Sequence, residues 1–182
     1  MELNIDNLMK TAIEEMKNGQ YTEASKHFDI VVINDATNID APFFRAYCKC
    51  YDITLGEMEN AAVGFTNAFY RYVDAVKALN DTIIEKEKLD YAVLLLTELV
   101  SMYKVNAKNT MFTSPSVGFT ISAAAANMNN NCRAKLKNDN VNISAEVITA
   151  NDVNSQENGK TGLILIVIIV VVAIIFFLWM LN

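Results

Sequence analysis

The sequence predicts an all-α protein: helical hairpins at the amino end, then a long antiparallel helical hairpin, then a single transmembrane helix. Three observations carry that prediction. Apolar residues up to about residue 137 recur at steps of three and four rather than two, the spacing of a helical face. Two prolines and six glycines in 182 residues leave long stretches without a breaker. Residues 162–181 form an apolar run with no charged side chain, and at about 1.5 Å per residue such a run spans roughly 30 Å, the thickness of a bilayer's hydrocarbon core.

Six helices are expected before the linker. Leu8, Met9, Ala12, Ile13 and Met16 line one face of the first, and Ala24, Phe28, Val31 and Val32 line the second. Between them, "NGQY" places Gly19 where a helix can end in the left-handed conformation. The third begins with Asp40 as N-cap before Ala41 and Pro42, and continues through Phe44, Ala46 and Tyr47.

The stretch "LMKTAIEEMKNGQYTEASKHFDIVVINDATN" resembles a tetratricopeptide repeat. Leu8 stands at that family's first large position, Ala12 and Ala24 at its small close-packing positions, Gly19 and Tyr21 at the hairpin, and Phe28 at the second aromatic position. Ala36 replaces the usual proline and Val31 an alanine. The following residues start in register and then lose the pattern, so the resemblance covers one clear repeat and half of a degenerate one, under a third of the chain. Stacked repeats need about three units to bury a core, so another element must cover the open end.

The fourth and fifth helices supply that cover. Met58, Ala62, Phe65, Phe69, Tyr72, Val76 and Leu79 step alternately by four and three, with Ala61, Ala68 and Ala75 beside them. Leu89, Val93, Leu96, Val100, Tyr103 and Ala107 repeat the pattern, and two such seams joined by a short turn make an antiparallel hairpin. Asn80-Asp81 is the expected turn, with Thr82 and Glu85 as a capping box. The sixth helix is expected from Ser114-Pro115 to about Lys137, with "NMNNN" marking a place where it could break near Asn129.

Residues 1–137 therefore read as one helical domain and 138–160 as a flexible polar linker with six asparagines, followed by the membrane helix over 161–182. In lipid a lone span must satisfy its own backbone amides, which a helix does and a strand does not. With no basic and apolar leader at Met1 and only Asn182 after the span, the expectation is a tail-anchored, single-pass protein with its domain in the cytoplasm, placed here in a bacterial cell membrane. The odd cysteine count, Cys48, Cys50 and Cys132, favours a reducing compartment. Cys48 and Cys50 lie about 200° apart on a helix, so they read as buried small apolar residues rather than a metal pair.

Fifteen basic against twenty-one acidic residues give a net charge of −6 without a Lys/Arg cluster, which argues against nucleic acid. There is one histidine, His27, and no phosphate loop, nucleophile elbow or paired-cysteine knuckle, so neither an enzyme nor a cofactor is expected. The expected function is a membrane-tethered adaptor for a cytosolic protein or peptide, with residues 162–181 held in the lipid bilayer. In the tetratricopeptide family the first helix of each repeat forms the concave partner-binding face. Carried over by position, the resemblance implies Met9, Ile13, Met16, Lys17, Phe43 and Tyr47, unless the long hairpin covers them. The alternative is a structural subunit of an oligomeric membrane assembly, with the heptad seams pairing between chains.

Overall fold

A computed structural model of the chain describes residues 4–141, 143 and 144. All regular structure among them is helical: α1 (Ile5–Lys17), α2 (Tyr21–Asn34), α3 (Asp40–Lys49), α4 (Met58–Lys77), α5 (Thr82–Met111) and α6 (Pro115–Asn138), with a 3-10 turn at Leu55–Glu57 before α4. None of these helices is long and apolar enough to cross a membrane. The predicted span at 162–181 and most of the predicted linker lie outside the described residues.

The helix boundaries follow local chemistry. Asn4 caps α1 by accepting the Asn7 amide at 3.0 Å. Gly19, at φ +76°, then turns the chain out of α1, while the amides of Asn18, Gly19 and Gln20 bond back to its last carbonyls. At α3 the cap is Asn38, not the expected Asp40: the Asn38 amide oxygen accepts the backbone N–H groups of Asp40 and Ala41 at 3.1 and 2.9 Å. That leaves the Asp40 carboxylate available for contacts with α4 and α5. At α5 the cap is Asp81, whose carboxylate accepts the amides of Ile83 and Ile84 at 3.0 and 3.1 Å. Thr82, the expected cap, is instead the first residue of the helix. Asn80 takes the left-handed turn conformation at φ 52°.

Sequential packing of α1 on α2, α2 on α3 and α3 on α4 buries Ala12, Met16, Ala24, Phe28, Val31, Phe43, Phe44 and Tyr47. The α4 seam is buried from Met58 to Val76, but Leu79 lies beyond the helix end and is 45% exposed. The most extensive packing of α5 is against α6 rather than α4, and α6 also lies against α4. The long hairpin expected from α4 and α5 is thus filled by a third helix. Small residues on α6 explain the fit. Gly118, Ala124 and Ala125 are buried, and a Cβ on Gly118 would stand 2.6 Å from Met111 Cγ. The helix continues unbroken through Asn129, whose side-chain oxygen accepts Arg133 Nε at 3.0 Å.

α3 and α5 are joined by side chains at three levels. The Asp40 carboxylate accepts Lys88 Nζ at 2.8 and 2.7 Å, together with the Tyr72 hydroxyl of α4 at 2.8 Å. Tyr91 meets Phe44 edge-on, and Glu98 accepts the Tyr47 hydroxyl at 2.9 Å. These contacts ascend together along both helices, so α3 and α5 run in the same direction. No buried side-chain nitrogen or oxygen among the described residues lacks a partner.

Candidate functional site

Two concavities flank α3. The larger, about 860 Å³, is a groove between α3 and α4. The antiparallel pair presents small side chains to it, with Ala46 on α3 and Ala61, Gly64, Ala68 and Ala75 on α4, so the helix backbones form its walls. The buried rings of Phe43, Phe65 and Tyr72 make the floor, with Phe43 and Tyr72 stacked at 4.4 Å between centroids. Gly64 is open: a Cβ built there would have nothing within 4 Å. The rim carries three cations, Arg45, Lys49 and Arg71, and one carboxylate, Glu57. Arg45 holds Asp29 at 2.7 Å and Lys49 stands 3.7 Å from the same carboxylate. Glu57 is turned back onto the Thr54 hydroxyl and amide, which lower its pKa. Arg71 is exposed and makes no ion pair with a described residue.

The smaller concavity, about 430 Å³, lies where the ends of α1 and α3 and the start of α2 meet the middle of α5. Its lining is Met16, Lys17, Tyr21, Tyr47, Tyr51, Tyr91, Leu95 and Glu98. Tyr21 and Tyr51 stack at 3.9 Å, and Tyr47 stands edge-on to both at 6.0 and 5.2 Å. Because the Tyr47 hydroxyl gives its proton to Glu98, the 3.0 Å contact with Tyr51 makes the Tyr51 hydroxyl the donor to Tyr47. Burial pushes the phenol pKa of Tyr47, Tyr51 and Tyr91 above the usual tyrosine value, so all three rings stay neutral at physiological pH.

The six residues expected to form one partner-binding face are divided between these places. Met16, Lys17 and Tyr47 converge on the tyrosine pocket, whereas Phe43 lies in the groove floor. Met9 and Ile13 are half-buried on α1 and line neither. Met16, Phe43 and Tyr47 are 3%, 1% and 2% exposed, so core packing claims most of their surface, and only Lys17 projects into solvent. The physical reason is that α4 packs over Phe43 while α5 runs alongside α3 at Tyr47. Tyr51, Tyr91, Glu98 and Arg71 were not anticipated; the alanines at 61, 68 and 75 were visible as a periodic set, but not as a groove wall.

Elsewhere the chemistry is structural. His27 Nδ1 lies 2.7 Å from Glu15 Oε2, linking α2 to α1. Cys48, Cys50 and Cys132 are free and buried, and burial pushes each thiol up to about 12. Cys50 Sγ donates to the Ala46 carbonyl at 3.4 Å, so these protonated thiols are poor nucleophiles. Among the described residues no three His, Cys, Asp or Glu side chains gather closely enough to hold a metal ion. No family model, curated protein or solved structure matches the chain.

Proposed function

We propose that the chain is a membrane-tethered helical adaptor whose α3–α4 groove receives an apolar, acid-flanked helical segment of a partner protein. The observation that carries this reading is the contrast at the groove: small side chains and backbone line it, and three cations stand on its rim in a chain of net charge −6. Alanine and glycine walls let a third helix approach to the usual 8–10 Å between axes. From Asn60 to Ala75 the α4 wall runs about 22 Å at 1.5 Å per residue, enough for about four turns of a partner. Carboxylates on that partner would find Arg71 without a competing described anion, and a guanidinium offers the bidentate geometry a carboxylate fits.

The tether is the apolar run at residues 162–181, which the reading places in a lipid bilayer with the helical domain on the cytoplasmic side. The tetratricopeptide resemblance of the first two helices belongs to the same reading, since such hairpins serve as interaction scaffolds. No catalytic step and no cofactor enter it.

The groove is tested by Gly64→Leu, which fills open space without entering the core, and by Arg71→Glu, which reverses the rim charge. An acidic amphipathic helical peptide selected on the full-length chain is expected to lose binding to both variants while their helical content is unchanged. Equal binding to wild type and both variants would move the partner elsewhere. The tether is tested by alkaline carbonate, which should leave the chain in the vesicle fraction; release into the supernatant would remove the membrane from the reading.

A further inference from the structure

The tyrosine pocket has the chemistry of a different ligand. We propose that the cavity bounded by Tyr21, Tyr47, Tyr51, Tyr91 and Glu98 binds a small organic cation of the quaternary ammonium class. This site is distinct from the α3–α4 groove and stands or falls without it.

Four features point to that class. The first is the tyrosine lining of one cavity of about 430 Å³, in which Tyr21 and Tyr51 stack on each other and Tyr47 is almost fully buried, since a ring's π-face is the negative end of its quadrupole and attracts a cation within about 6 Å. The second is Glu98. Its carboxylate accepts the Tyr47 hydroxyl proton but makes no ion pair with a described residue, so it presents net negative charge beside the rings. Thirdly, α1 ends at Lys17 and α3 at Lys49, so the negative ends of two helix dipoles come to the cavity's edge against the single positive end of α2, which starts at Tyr21. The last is the hydroxyl chain. The Tyr51 and Tyr47 protons are already directed along the path to Glu98. A quaternary ammonium asks for no hydrogen-bond acceptor and loses little hydration on entering such a site. A primary ammonium is more strongly hydrated and gives up more on entering the same cavity.

Lys17 is the one opposing charge in the lining, and it makes no ion pair with a described residue. It therefore supplies a sign test: removing it should strengthen binding, whereas removing the Glu98 charge should weaken it. A cluster that serves only to pack α2 against α3 would show neither response.

The experiment uses the full-length chain in a non-ionic maltoside detergent, free of quaternary ammonium groups. Tetramethylammonium chloride, choline chloride and 3,3-dimethylbutan-1-ol, the uncharged shape analogue of choline, are titrated against tyrosine ring-proton shifts, with sodium chloride as the ionic control. Both ammonium salts are expected to saturate with a Kd on the order of 1 mM, and the neutral alcohol to bind about tenfold more weakly. Glu98→Gln should weaken choline several-fold, Lys17→Gln should tighten it, Tyr51→Phe should keep it and Tyr51→Leu should abolish it. Glu98 and Lys17 are exposed, so their variants decide the matter even if Tyr51→Leu fails to fold. The proposal is overturned if no saturable shift occurs, if the alcohol binds as well as choline, or if the Glu98 and Lys17 variants do not move affinity in opposite directions.

Discussion

Gly118 offers a sharp test of how α5 and α6 come together. In an open helix, replacing glycine by alanine gains about 0.5–1 kcal/mol, because alanine loses less backbone freedom on folding. At Gly118 that gain is opposed. The new Cβ would lie 2.6 Å from Met111 Cγ, 2.9 Å from the Met111 nitrogen and 3.0 Å from the Ala107 carbonyl oxygen, where carbon contacts normally begin near 3.5 Å. Met111 can swing its side chain aside, but the two backbone atoms move only if the helices separate. Forcing an extra carbon into such a contact costs about 1–3 kcal/mol. The expected net effect of Gly118→Ala is a loss of about 1 kcal/mol.

Gly64 is the internal control. It also lies within a helix, yet a Cβ there meets nothing within 4 Å. Gly64→Ala should therefore raise stability by up to about 1 kcal/mol. The helix-propensity gain is common to both substitutions, so the difference between the variants, about 2 kcal/mol, isolates the close approach of α5 and α6. Urea unfolding of the full-length chain, followed by circular dichroism at 222 nm, measures it. If the two alanine variants prove equally stable, the α5–α6 contact does not depend on the missing side chain and the packing argument for α6 is wrong.

The other predictions concern caps, the α3–α5 clasp and the thiols. Asp81→Ala should cost about 1 kcal/mol by leaving the Ile83 and Ile84 amides without their acceptor, while Thr82→Ala should cost far less; equal losses in the same urea assay would restore Thr82 as the cap. Asp40→Ala should cost about 1–3 kcal/mol, since it strands both the Tyr72 hydroxyl and the Lys88 ammonium, and a double-mutant cycle with Lys88→Met should show that part of the loss is shared. The cysteines should resist Ellman's reagent in the native state and react once urea unfolds the chain; rapid native labelling would contradict their burial. Because burial raises each thiol from 9.0 to about 12 in the folded chain, the folded state holds those protons longer. Their contribution to stability is complete below pH 9.0 and is lost as the pH rises toward 12, so urea midpoints should fall across that interval.

Much of the helical layout is legible because its signals are local. The faces Leu8–Met16 and Met58–Val76 repeat with the helix's own period, and Gly19 and Pro115 mark boundaries through backbone geometry alone. The mistaken caps show where local patterns compete. Thr82 and Glu85 satisfy the spacing of a capping box, yet Asp81, one residue earlier, offers a carboxylate to two amides at once. Asp40 precedes Ala-Pro as a cap would, but the chain enters the helix earlier and Asn38 accepts the amides of Asp40 and Ala41. The pairing of long helices is less legible still. Matching seams on α4 and α5 show that each needs a partner without saying which, and α5 buries Ala92, Leu95 and Leu99 as well as its predicted stripe. A helix buried over so much of its circumference needs more than one neighbour, and the alanine-rich α6 is the one narrow enough to lie against both α4 and α5.

The site is the least legible part because its residues are adjacent only after register is set. Tyr21 comes from α2, Tyr51 from just past the end of α3, and Tyr91 and Glu98 from α5, and only the last two, seven residues apart, are related by a spacing within one helix. What relates all four is the clasp at Asp40. It holds Lys88 against α3 with a pair of short charge-assisted bonds, and from there the two helices run in the same direction, so that Tyr91 reaches Phe44 and Glu98 reaches the Tyr47 hydroxyl. An Asn at position 38 that does the capping leaves the Asp40 carboxylate to do the aligning. That substitution of roles, invisible in a count of favourable cap residues, brings an otherwise exposed glutamate to the edge of four aromatic rings.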